Sequence, residues 1–216
     1  MIKIFKTTDS GVLQISEFED NSWISMTNPT TEELFSVSST YKIAPDDLRA
    51  SLDEEERSRI EIEEYYSLIL VDIPTIEERN GKDWYGTIPL AIIICDKVIV
   101  TVCLEDSPVL TAFMDGRVRN FYTHMKTRFI FQILYRNATL YLNYLRIIDR
   151  RSDAIEQKLH EATKNRELIE LLELEKSLVF FTTSLKSNEV VLEKLLKSTA
   201  IKKYPCLLYT SPSPRD

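Results

Sequence analysis

The residues of this chain that could do chemistry are mostly carboxylates. Asp53, Glu54, Glu55, Glu56, Glu61, Glu63 and Glu64 stand in one stretch against Arg57 and Arg59, a net of −5. Asp46 and Asp47 precede it by a short segment. Oxygen ligands at this density suit a hard divalent cation, which needs only one or two carboxylates when it keeps its waters. A solvated face has the same composition, so the run alone leaves both readings open. The rest of the inventory is thin. His124 and His160 fall in a helical segment and read as surface or boundary residues. The four glycines form no phosphate-binding loop. Glu63 and Glu64 are adjacent on a strand, where neighbours point to opposite faces. No nucleophile, base and acid come together, so the chain reads as a non-enzyme with no catalytic or cofactor-binding residues.

Cys95, Cys103 and Cys206 have no metal-type spacing, and an odd, sparse count fits a reducing compartment. Cys95 and Cys103 flank a β-like run and are expected to be buried thiols. The chain has 216 residues, 28% charged and 44% hydrophobic, with a net charge of −7. There is no basic block to track a phosphate backbone, which excludes nucleic acid as a partner. The start Met1-Ile2-Lys3-Ile4-Phe5 is strand-like rather than a signal peptide. No apolar run approaches the ~18 residues of a membrane span. As written, the sequence reads as soluble and cytosolic.

Two apolar runs organise the second half. Tyr141, Leu145, Ile148, Ser152, Ile155, Leu159 and Ala162 recur at steps of four and three. So do Leu171, Leu174, Leu178, Phe181, Leu185, Asn188, Leu192 and Leu195. This spacing predicts two helices with a coiled-coil seam. The short polar segment Thr163-Lys164-Asn165-Arg166-Glu167 between them forces an antiparallel hairpin. The first helix is expected to run about 38 residues, roughly 57 Å. Asn188 is a polar residue in the seam, of the kind that fixes register or oligomer state.

The first half alternates differently. Met1–Phe5 and Val12–Phe18 read as a hairpin around Asp9-Ser10-Gly11, with a third strand at Trp23–Met26. Thr30 and Glu33 form a capping box for a helix from Thr31 to Ser38. Pro45 opens a short helix to Leu52. Strands are predicted at Ser58–Tyr65, Ser67–Ile73, Trp84–Ile94 and Lys97–Val102, the last central because it is dense in β-branched residues. Ser107-Pro108 begins another helix. The fold class is therefore α/β (α+β): a mixed sheet flanked by helices, followed by a long antiparallel helical hairpin. The expected domains are residues 1–115, the helical arm 116–204, and a tail 205–216. The tail, with Pro212 and Pro214, has no helical period and resembles translated adapter sequence or a disordered end.

The order Pro45-Asp46-Asp47-Leu48, an acidic stretch, Arg59-Ile60-Glu61-Ile62, then Leu68-Ile69-Leu70-Val71 resembles the cytoplasmic domain of the CorA-like magnesium transporters. The strand pair around Asp96, the helix at Ser107–Met114, and the arm with Asp149, Asp153 and Ile155-Glu156-Gln157-Lys158-Leu159 continue the likeness over residues 1–204. The family's Gly-Met-Asn tripeptide, at the end of the first of two transmembrane helices, does not occur in the chain. The resemblance implies a regulatory portion that gates a homopentameric channel for Mg²⁺, with Co²⁺ and Ni²⁺ as further cargo. It implies the bacterial inner membrane, with this portion cytoplasmic and the pore helices missing. It implies regulatory Mg²⁺ held by acids between subunits. The family's sensing position falls on Ala50. Asp47 and Asp53, three residues to either side, are the candidate ligands in its place. A zinc transporter of the same superfamily and a soluble coiled-coil interaction module are the alternatives.

Overall fold

The computed structural model describes residues 1–79, 81–161 and 165–198. Seven strands form one sheet: β1 (Ile2–Thr8), β2 (Gly11–Ile15), β3 (Trp23–Thr27), β4 (Arg59–Ile62), β5 (Tyr66–Arg79), β6 (Lys82–Cys95) and β7 (Ile99–Cys103). Their order is β2-β1-β3-β7-β6-β5-β4. Only β3 and β7 run parallel. β7 is the middle strand, as its β-branched residues predict, and all five of its residues are buried. The helices are α1 (Thr31–Tyr41), α2 (Pro45–Arg49), α3 (Pro108–Met114), α4 (Lys126–Glu161) and α5 (Asn165–Lys197). The sheet is thus mixed and flanked by helices, with a long helical hairpin after it.

Local signals set the helix starts. The Thr30 hydroxyl accepts from the Glu33 N–H at 3.3 Å while Glu33 accepts from the Thr30 N–H at 2.9 Å, which completes the capping box. Pro45 and Pro108 sit at first-turn positions, where a missing N–H costs nothing. The Ser107 hydroxyl accepts from the Val109 N–H. The helix at Pro45 is shorter than predicted. It ends at Arg49, tightens into a 3₁₀ turn at Ala50–Leu52, and leaves Asp53 extended. β4 is also shorter than predicted, and its Ile62 faces solvent, which fits an edge strand.

Each sheet face has its own core. Ile24, Met26, Leu68, Leu70, Ile93 and Val100 pack beneath Leu34 and Val37 of α1 and Leu48 of α2. On the other face, Ile69, Val71, Leu90 and Ile92 pack against α3 and the first turns of α4. Trp23 anchors that second core. Its ring meets Phe113, Phe121 and Phe129 edge-on at 5.0–6.3 Å, and its indole N–H reaches the Thr101 hydroxyl at 2.9 Å. Fully buried aromatics contribute on the order of 1 kcal/mol each from such geometry beyond their area.

β5 and β6 pair over 14 residues each, well past the ends of β4 and β7. They form a two-stranded ribbon that runs beside the helical hairpin. Tyr85 joins Tyr141, Ile148, Ile155, Leu174 and Phe181 in a third cluster. Lys82 donates to Glu170 at 2.6 Å, and that bond first of all holds the Glu170 carboxyl below its usual range. The hairpin therefore packs on the ribbon as well as on itself.

That second contact alters the seam of α5. Leu178 and Leu192, predicted inside, are 40% and 38% exposed. Ser177, Ser184 and Val191 are buried in their place. A helix that meets a partner helix on one flank and a sheet on the other needs two adjoining stripes. Small residues on the sheet-side stripe permit close approach. Heptad counting finds only one stripe, because it assumes that helices meet helices.

Candidate functional site

Asp47 lies in the middle of α2, half-buried beside the sheet. Its Oδ2 accepts a short hydrogen bond from the Tyr66 hydroxyl at the start of β5. The Tyr66 oxygen in turn accepts from the Ala44 N–H at 3.2 Å. Burial, then the bond to Asp47, pushes the Tyr66 hydroxyl up to about 12. Tyr66 is therefore a permanent donor near neutral pH and holds Asp47 as the acceptor. Among the described residues the Asp47 carboxylate accepts no second hydrogen bond, and its Oδ1 is not one of the buried unpartnered atoms.

Asp53 is exposed and follows the 3₁₀ turn. Its Oδ1 accepts from the Glu55 N–H at 3.0 Å. No hydrogen bond joins Asp53 to Asp47. The intended helical spacing around Ala50 is interrupted, since α2 stops before it, and Ala50 itself is buried in the core. In the acidic run, Arg59 takes Glu56 at 2.5 Å and Glu61 at 2.6 Å, while Asp53, Glu54, Glu55, Glu63 and Glu64 are exposed. Among the described residues, no group of three or more His, Cys, Asp or Glu converges as a complete metal shell would require. The donor set fits Mg²⁺ held by one or two carboxylates with its own waters, or shared with acids of another chain. It does not fit a closed inner-sphere site within one chain.

The other residues fall as follows. His124 is exposed, its ring 5.6 Å from Tyr122. Cys95 and Cys103 are buried free thiols, pushed up by burial to about 12 and about 11, so neither is a nucleophile. The side chain of His160, together with Ala162, Thr163, Lys164, Cys206 and the tail 205–216, lies outside the described residues.

Sequence reasoning missed a second polar centre, at Asp72. β4 pairs no further along β5 than Leu70, so Asp72 has no strand neighbour on that edge. The side-chain amide of Asn188 takes the vacant place. Its Oδ1 accepts the Asp72 N–H at 2.8 Å and its Nδ2 donates to the Asp72 carbonyl at 2.7 Å. Asn137 donates to the same carbonyl at 2.8 Å and the Tyr141 hydroxyl does so at 3.2 Å. Ser58 donates to Asn188 Oδ1 at 3.2 Å. Thus α4, α5 and the segment before β4 all meet at one residue. Asn188 does fix register, but of helix against sheet. A signal was present in the sequence. Pro74 and Pro89 lie in long strands, and both fall where a neighbouring strand has ended, beyond the last pairs Arg59–Leu70 and Leu90–Cys103.

Comparison with known proteins places this architecture. The family model described as "CorA-like Mg2+ transporter protein" matches residues 18–206. The cobalt/magnesium transport protein CorA of Methanocaldococcus jannaschii is 31% identical over 179 residues, 79% of this chain and 53% of the relative. The chain thus spans about half the length of that curated relative. The solved soluble domain of CorA from Methanocaldococcus jannaschii superposes with a TM-score of 0.78 at 25% identity, covering 95% of this chain and 81% of that one. The complete CorA magnesium transporter from the same organism gives 0.79 at 24% identity, covering 95% and 64%. Its family is one of transporters rather than enzymes, and on the match over residues 18–206 the chain belongs to the CorA-like Mg²⁺ transporter family.

Proposed function

We propose that this chain is the regulatory portion of a divalent-cation transporter that moves Mg²⁺, with Co²⁺ and Ni²⁺ as further cargo. In this reading the whole protein is a homopentamer in the bacterial inner membrane, and the residues described here lie on its cytoplasmic side. Family membership supports the transport reading, as does the printed name of the Methanocaldococcus jannaschii relative, which gives cobalt and magnesium. Such a protein needs membrane-spanning segments, and among the described residues no helix is long and apolar enough to cross a membrane.

The observation that carries the regulatory reading is Asp47. It is a half-buried acid pinned through one oxygen to the first residue of a core strand, with its other oxygen unpartnered among the described residues. Mg²⁺ at that second oxygen, directly or through water, would be shared with an acid of a neighbouring copy, and Asp53 stands near enough in sequence to assist. Bound metal offsets the repulsion between acidic surfaces, and its loss separates them. Asp47 and Asp53 are the proposed regulatory ligands.

Sedimentation velocity of the 216-residue chain with and without millimolar Mg²⁺ tests this. The expected result is magnesium-dependent association that the Asp47→Asn, Asp53→Asn double variant loses. Unchanged sedimentation of the wild type, or identical behaviour of the double variant, overturns it.

A further inference from the structure

The carboxyl of Asp72 is left over once its backbone is accounted for. It is half-buried where the ribbon, α4 and α5 meet. Several elements place groups against this junction. The segment before β4 offers Ser58, α4 offers Asn137 and Tyr141, and α5 offers Ser184 and Asn188. From β6, Pro89 stands opposite Asp72, and Thr87 bonds Ser184 at 3.0 Å. Of these only Tyr141 titrates, and burial first of all drives its hydroxyl far above the usual range, so it stays neutral. Lys186 and Glu189 of α5 line the adjoining cleft, alongside Asn137, Tyr141 and Asn188. Among the described residues no salt bridge reaches Asp72. Burial raises its carboxyl above the ordinary carboxylate value, and the hydroxyls of Ser184 and Ser58 only partly oppose this.

We propose that the Asp72 junction is a proton-sensitive latch: protonation of the Asp72 carboxyl tightens the helical hairpin onto the sheet, and ionisation loosens it. A charge that must be desolvated against neutral hydroxyls and amides weakens the docked state; a neutral carboxyl does not. The sign follows from linkage. A carboxyl raised on folding contributes stability that is fully present below its unfolded value and is lost as pH rises through the folded one. The bracket made by Asn188 concentrates this effect. It ties α5 to the backbone of the very residue that titrates, so a change at Asp72 is felt along the helix. The proposal concerns protons, and it stands whether or not Asp47 binds metal.

Amide hydrogen exchange on the 216-residue chain tests it, with β7 amides as the internal reference. After correction for intrinsic exchange chemistry, wild-type protection of α5 around Ser184–Val191 should be greater at about pH 4, near the ordinary carboxylate value, than at about pH 8. In Asp72→Asn, which is neutral at both pH values, that difference should vanish and the high-protection level should persist. Equal pH dependence in both proteins overturns the latch. Should Asp72→Asn fail to fold, carboxyl-carbon NMR titration of the wild type decides. A midpoint above the ordinary carboxylate range supports the latch, and a midpoint at or below that range refutes it.

Discussion

Two acids meet the same strand in opposite ways. Asp47 approaches the start of β5 from α2, and among the described residues its second oxygen has no partner. Asp72 lies within β5, six residues after Tyr66, beneath the hairpin. Each has a tyrosine for a neighbour: Tyr66 donates to the Asp47 carboxylate, while Tyr141 donates to the Asp72 carbonyl. The difference is in what surrounds each. An acid with an unpartnered oxygen can answer a hydrated cation. An acid half-buried among hydroxyls and amides, with desolvation the larger effect, holds its charge less readily and answers a proton. Two carboxylates tied to one strand, one from α2 and one within β5, thus differ in chemistry according to what packs over each.

Mutations can break or sharpen this contrast. The largest effect is expected at Asn188. Read as a seam residue, Asn188→Leu should stabilise the hairpin. Read as the bracket on Asp72, it strands a backbone N–H and weakens the bonding of the carbonyl, at a cost of about 2–3 kcal/mol. Urea unfolding distinguishes the two by sign. Next is Ser184→Leu, which overpacks the sheet-side stripe and should cost about 1–3 kcal/mol by the same measurement. A result within error of wild type would show that α5 is not held close to the ribbon there. Tyr66→Phe should cost about 1–2 kcal/mol, since it removes the hydrogen bond to a half-buried acid and the one accepted from the Ala44 N–H. It should also leave the pH response of α5 unchanged, because the Asp72 junction is untouched. The smallest effect belongs to Leu178→Gln. That position is 40% exposed, so the stability read from thermal unfolding should fall by no more than about 1 kcal/mol, although the heptad pattern assigns it to the core.

What the sequence made legible was local. Thr30 and Glu33, three residues apart, announce a capping box, and the structure has one. Repeats of three and four announce two long helices, and α4 and α5 follow. The density of Val and Ile at Val98–Val102 announces the central strand. The Asp72 centre was not legible because it depends on where β4 stops and on partners up to 116 residues away. Nothing about Asn188 in its own helix shows that a strand edge waits for it. The helical spacing expected between Asp47 and Asp53 is broken for a related reason. Counting by threes assumes that a helix continues, and α2 ends at Arg49, with Ala50 drawn into the core. The prolines at 74 and 89 were the available clue, since proline inside a long strand marks a missing neighbour.

The contrast between the two acids is tested most directly by following their carboxyl carbons by NMR in the 216-residue chain while Mg²⁺ is added at fixed pH. The account predicts a saturable shift at Asp47 and none at Asp72. A shift at Asp72, or silence at Asp47 through millimolar magnesium, would contradict it.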